Sequence, residues 1–243
     1  MANWSDPRMT TNASPTSIGG QAAVHAGLRS YMLSVYNYMA SGVLLTGLVA
    51  MLFANSAFGQ NILTHGGALR WVIILAPLGL VMWLSMGINR MSESTAKTIF
   101  WVYATLMGLS MASVFMIYTR ESIATTFFAT AAAFASLSLY GYTTKKDLSG
   151  FGTFLIMGLV GLLIASLLNI FFQSSTMSLV ISFIGVLLFA GLTAYDTQKI
   201  KSMYFMMQGS DFLGKAVIMG ALTLYLDFIN MFQFLLSFLG NRE

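Results

Sequence analysis

Seven long apolar stretches leave this chain few ways to fold. They lie near residues 31–54, 71–89, 97–118, 122–143, 151–172, 177–200 and 215–240. Each reaches the roughly 20 residues that an α-helix needs to cross a bilayer core. In hydrocarbon only helices and closed barrels satisfy all of their own backbone hydrogen-bonding groups. Charged residues make up 8% of the chain, against roughly 25% in a soluble domain. The expected fold is therefore all-α, a polytopic membrane protein built as a seven-transmembrane-helix bundle over residues 29–243, with the lipid bilayer as its solvent. Residues 1–28 are polar, with Pro7 and Pro15, and read as a disordered cytoplasmic N-terminal tail. No apolar core follows a basic start there, so the tail is not read as a cleavable signal peptide.

Charge by position gives a topology. With the N-terminus inside, the cytoplasmic stretches hold nine basic residues: Arg8, Arg29, Arg90, Lys97, Lys145, Lys146, Lys199, Lys201 and Lys215. The outer stretches hold three: Arg70, Arg120 and Arg242. The positive-inside rule then places the N-terminus in the cytoplasm and the C-terminus outside. A net charge of +4 gives no support for nucleic-acid binding, and the absence of cysteine excludes disulfides and thiol-bound metals. Short loops and missing cysteines suit a bacterial inner membrane.

Two carboxylates break the apolar pattern. Asp196 sits in Ala194-Tyr195-Asp196-Thr197-Gln198-Lys199-Ile200-Lys201, near the cytoplasmic end of the sixth segment. Asp227 lies mid-way along the seventh, in Leu222-Thr223-Leu224-Tyr225-Leu226-Asp227-Phe228-Ile229-Asn230. A carboxylate at mid-membrane costs about 2.5–3.5 kcal/mol even on permissive scales, so it usually faces a partner or a water path. Helical spacing puts Thr223, Asn230 and Ser237 on the Asp227 face and Thr193 on the Asp196 face. Thr193, Thr223 and Asn230 are the pore-lining candidates, and the seventh helix is expected to face the bundle interior.

If the two acids meet away from water they cannot both ionise cheaply, and the pair would hold one proton between them. Losing that proton would open the site to a cation, and calcium favours carboxylate, carbonyl and water oxygens. Asp196 and Asp227 are thus candidate calcium contacts, with no resident cofactor expected. Orientation brings Arg90, at the end of the second segment, to the level of Asp196, where an ion pair is geometrically open. The other reading of Asp196 is an interfacial carboxylate among Lys199 and Lys201. Pro77 removes a hydrogen bond from the second helix and kinks it, either as a fixed bend or as a hinge for the end carrying Arg90. Asp211 is expected to cap the seventh helix.

The runs 194–201 and 222–240 resemble the signature of the transmembrane Bax inhibitor motif family, the Bax inhibitor-1-like proteins, over about residues 29–240. The resemblance implies a seven-helix bundle with the seventh helix central. It also implies a pH-sensitive calcium leak gated by Asp196 and Asp227, with Arg90 as a latch. Some family members carry an acid on the second helix and this chain does not, so a role for that carboxylate does not transfer.

Two alternatives stand beside the leak. One is a membrane-embedded regulator of a protease, or of a stress or cell-death response, with a membrane protease as partner and no ion conduction. The other is an intramembrane aspartyl protease, but the Gly-x-Gly expected before its second acid is replaced here by Leu224-Tyr225-Leu226, and its Pro-Ala-Leu motif is missing. The chain is therefore not expected to be an enzyme.

Overall fold

The computed structural model describes residues 15–88 and 90–242, with side chains from residue 23 onward. The first half of the expected tail, 1–14, therefore falls outside the described residues. All regular structure among the described residues is helical, in nine helices: α1 (Pro15–Asn55), α2 (Ala57–His65), α3 (Gly67–Gly87), α4 (Glu93–Met111), α5 (Val114–Ile117), α6 (Arg120–Thr143), α7 (Ser149–Phe172), α8 (Ser175–Met207) and α9 (Leu213–Leu239). Seven spans are long and apolar enough to cross a membrane, with α4 and α5 together forming one of them. The chain is an all-α polytopic membrane bundle.

Several boundaries differ from the sequence reading. Helix α1 already begins at Pro15, so half of the stretch read as tail is helical. Proline's fixed φ suits a first helical position, and Leu28 is already buried in the core. The connection at 55–70 holds its own helix, α2. Helix α8 continues beyond residue 200 to Met207, because Ile200 and Tyr204 are buried and extend its apolar face. Asp196 thus lies three turns from that end, deeper than the single turn expected. Asp211 does not cap α9: the position before the helix is Phe212, which makes no side-chain capping bond.

Elsewhere short polar side chains start the helices. Ser56, Ser92, Thr119 and Ser174 each accept a hydrogen bond from the backbone N–H three residues on. Each removes one orphan donor where the chain turns at a membrane boundary.

Helices α8 and α9 pack along each other, α1 and α6 each contact both, and α4 joins α1 and α9. Half of the most apolar stretch of α9 is buried, against 11% in α3 and in α7. Helix α3 leans mainly on α4, and α7 on α8. Their outer faces carry Trp83, Met86, Met157 and Phe171 into what would be lipid. Tyr225 of α9 fixes one crossing inside the bundle. Its hydroxyl lies 2.6 Å from Thr46 Oγ1 of α1, which in turn donates to the Ala104 carbonyl of α4 at 2.8 Å. The rings of Tyr103 and Phe100 meet Tyr225 edge-on.

Close helix approach depends on glycine at one point that matters for the site. A Cβ added at Gly141 of α6 would run into the Ala194 carbonyl of α8, two residues before Asp196. Small residues at such contacts let backbones approach in lipid, where burial of apolar surface gives little drive. We expect Gly141→Val to destabilise the bundle by about 1–3 kcal/mol through overpacking, read as a lower thermal midpoint in detergent. Gly161→Ala, whose added carbon meets nothing, should leave that midpoint unchanged.

Candidate functional site

The segment 194–201 of α8 stitches three other elements together. Thr197 Oγ1 lies 2.8 Å from Ser138 Oγ of α6, and Ser138 Oγ lies 2.6 Å from the Tyr36 hydroxyl of α1. Gln198 clamps the α6–α7 loop: its Nε2 donates to the Lys146 carbonyl at 2.7 Å and its Oε1 accepts the Leu148 N–H at 2.9 Å. Lys201 donates to the Tyr142 carbonyl at 2.7 Å and sits over the Tyr142 ring, while Lys199 lies over Tyr195. The loop adds a local clasp. The Ser149 hydroxyl and its N–H beside Asp147 hold that carboxyl below its ordinary range.

This scaffold fixes Asp196, and α9 presents Asp227 to it. The two carboxyl groups come within side-chain hydrogen-bonding reach of each other. Asp196 is 8% exposed and Asp227 4%. Asp227 Oδ2 is buried with no hydrogen-bond partner among the described residues. Lys199 follows Asp196 by three residues on α8, and its ammonium lies over the Tyr195 ring. Asp196 is therefore no surface carboxylate among lysines. It belongs to a buried acid–acid contact.

The remaining candidates fall elsewhere. Thr193 donates to the Phe189 carbonyl at 2.7 Å, Thr223 to the Met219 carbonyl at 3.0 Å, and Asn230 to the Leu226 carbonyl at 2.8 Å. Each donates back to its own helix, a common way for a short polar side chain to be satisfied. Arg90 is exposed in the turn after α3, and no ion pair joins it to Asp196. Among the described residues the one salt bridge is Lys97–Glu93. The expected Arg90–Asp196 pair is corrected on simple grounds: α3 leans on α4, outside the α8–α9 contact. Pro77 is buried within an α3 that stays helical from Gly67 to Gly87. Among the described residues no group of three or more His, Cys, Asp or Glu side chains gathers to hold a metal.

The sequence reading missed the Tyr36–Ser138–Thr197 chain and the Gln198 clamp. Gln198 and Thr197 stood inside the quoted run, but their partners lie on other helices. Ser138 is one small polar residue among several in its stretch, with nothing local to mark it.

The fold and the site together define a polytopic membrane protein: a seven-span helical bundle with two acids buried between α8 and α9. Comparison with known proteins then gives the family. Residues 28–243 match the family described as "Inhibitor of apoptosis-promoting Bax1". The chain belongs to this family. The Rickettsia prowazekii protein RP147 is 50% identical, over 89% of this chain and 92% of its own length. The Escherichia coli K12 inner membrane protein YbhL is 48% identical, over 90% and 94%. The Lactococcus lactis protein YrjE is 39% identical, over 88% and 92%.

Removing the clamp should show at the loop. Gln198→Ala deletes two hydrogen bonds worth about 1–3 kcal/mol together. Trypsin cleavage after the exposed Lys145 and Lys146 should then speed up by about tenfold in limited proteolysis, with the bundle still folded.

Proposed function

We propose that this protein is a pH-sensitive leak for cations, calcium in particular, and that the arrangement described is its closed form. The observation that carries the reading is the Asp196–Asp227 contact, buried and with one oxygen of Asp227 unpartnered. Two carboxylates at that range and out of water hold a proton between them, because both ionised forms together repel without screening. The proton is the latch. When it leaves, repulsion parts α8 from α9, and the same oxygens become ligands for a passing cation.

Calcium takes six to eight oxygens, and the pair supplies two carboxylates. Water and backbone carbonyls must complete the shell, which favours brief binding and release over storage. Conduction asks for that balance. The latch assigned to Arg90 passes in this reading to the shared proton, since Arg90 stands apart from the pair.

The membrane is taken to be a bacterial inner membrane, with the N-terminus cytoplasmic and the C-terminus outside. That rests on nine basic residues against three across the seven spans, and on a relative named as an inner membrane protein. Proteolysis by the acid pair is disfavoured because the residues before Asp227 are bulky and packed: Leu224 and Tyr225 are fully buried.

Purified protein in calcium-loaded liposomes should leak faster as the pH rises across about 6–8, as the shared proton is lost. Asp227→Asn cannot release that proton, so its flux should stay low and flat over the same range. A wild-type flux that ignores pH would rule the gate out.

A further inference from the structure

Helices α1 and α6 both rest on α8 and α9 but are held apart, and the gap between them is a cavity of about 800 Å³. Its shaft is apolar, floored by Phe134 and Phe228, and its rim residues Leu33, Leu44 and Leu139 are 50–63% exposed. In a membrane that rim faces lipid. A groove of this kind is filled by hydrocarbon chains, since water would gain almost no hydrogen bonds there.

One end of the groove is cationic. Arg29 lines it and is exposed, with no salt-bridge partner among the described residues. Tyr142 lines the same end and carries Lys201 over its ring at 5.0 Å. The loop three residues further on carries exposed Lys145 and Lys146 against the single carboxylate of Asp147. A guanidinium at the mouth of an apolar shaft, with Lys201 behind its Tyr142 wall, fits a phosphate on an acyl chain. A planar guanidinium is the best side chain for gripping phosphate oxygens.

We propose that the α1–α6 groove is a binding site for an anionic phospholipid, with an acyl chain in the shaft and the headgroup phosphate on Arg29. The site stands independently of ion conduction. It nevertheless abuts the acid pair. Phe228 of its floor neighbours Asp227 in the chain, and the Tyr36–Ser138 bond that crosses the gap leads on to Thr197, next to Asp196.

The test uses the full chain in detergent, titrated by native mass spectrometry with phosphatidylglycerol and phosphatidylcholine of matched chains. Phosphatidylglycerol should bind more tightly, by about fivefold for each basic contact near the headgroup. Arg29→Gln should reduce that preference by the same factor. Ala131→Phe, which fills the shaft, should lower retention of both lipids while the thermal midpoint holds. Ala40→Leu narrows the shaft from the α1 side and takes its place if that variant fails to fold. Equal retention of the two lipids by wild type, or an unchanged preference in Arg29→Gln, would overturn the proposal. Displacement of the lipid by excess inorganic phosphate would also overturn it, by assigning Arg29 to a soluble anion.

Discussion

The contact between α8 and α9 carries the structure's main electrostatic burden, because it holds two acids where neither can reach bulk water. Several other polar groups inside the bundle have an inexpensive answer. Thr46, Thr193, Thr223 and Asn230 reach nearby backbone carbonyls, and Ser138 has hydroxyls on both sides. Asp196 and Asp227 have chiefly each other. Keeping them together requires that α8 be located accurately, which explains how many of its hydrogen bonds leave the helix between residues 197 and 201. Thr197, Gln198 and Lys201 tie α8 to α6 and its following loop, and through Ser138 to α1.

Much of the architecture was legible because hydropathy in lipid is a coarse signal with one dominant cause. Seven apolar stretches became seven spans, and the acids stood out because nothing near them in the chain explained them. The misreadings arose where the cause was tertiary. Helix α8 runs on to Met207 because Tyr204 packs against Tyr31 of α1, a contact that local composition cannot reveal. Arg90 looked level with Asp196 along the membrane normal, but charge counting gives height and says nothing of lateral position. The face shared by Thr193, Thr223, Asn230 and the acids was read from spacing, whereas their bonds to carbonyls of their own helices were not.

The bundle divides into parts with different exposure. Helices α1, α4, α6, α8 and α9 share the buried core, whereas α3 and α7 lie at the margin with largely lipid-facing surfaces. Methionine and phenylalanine serve both settings. Met231 is 1% exposed and Met157 70%. Apolar content by itself cannot separate a core from a lipid face when the solvent is also apolar.

The end of the chain has a mechanical consequence. Arg242 pairs with Tyr118 in an isolated antiparallel bridge, Thr119 N–H donates to the Asn241 carbonyl at 3.1 Å, and the Asn241 N–H donates to Ser122 Oγ at 2.9 Å. At its other end α9 is joined to α8 by a five-residue turn, 208–212, whose Gly209 takes a left-handed φ of 80°. The helix is moored at both ends, to different neighbours. A piston stroke along its axis would break the bridge and hydrogen bonds at one end or stretch the tight turn at the other. The depth of Asp227 in the bundle is thus set from both ends of the rod that carries it.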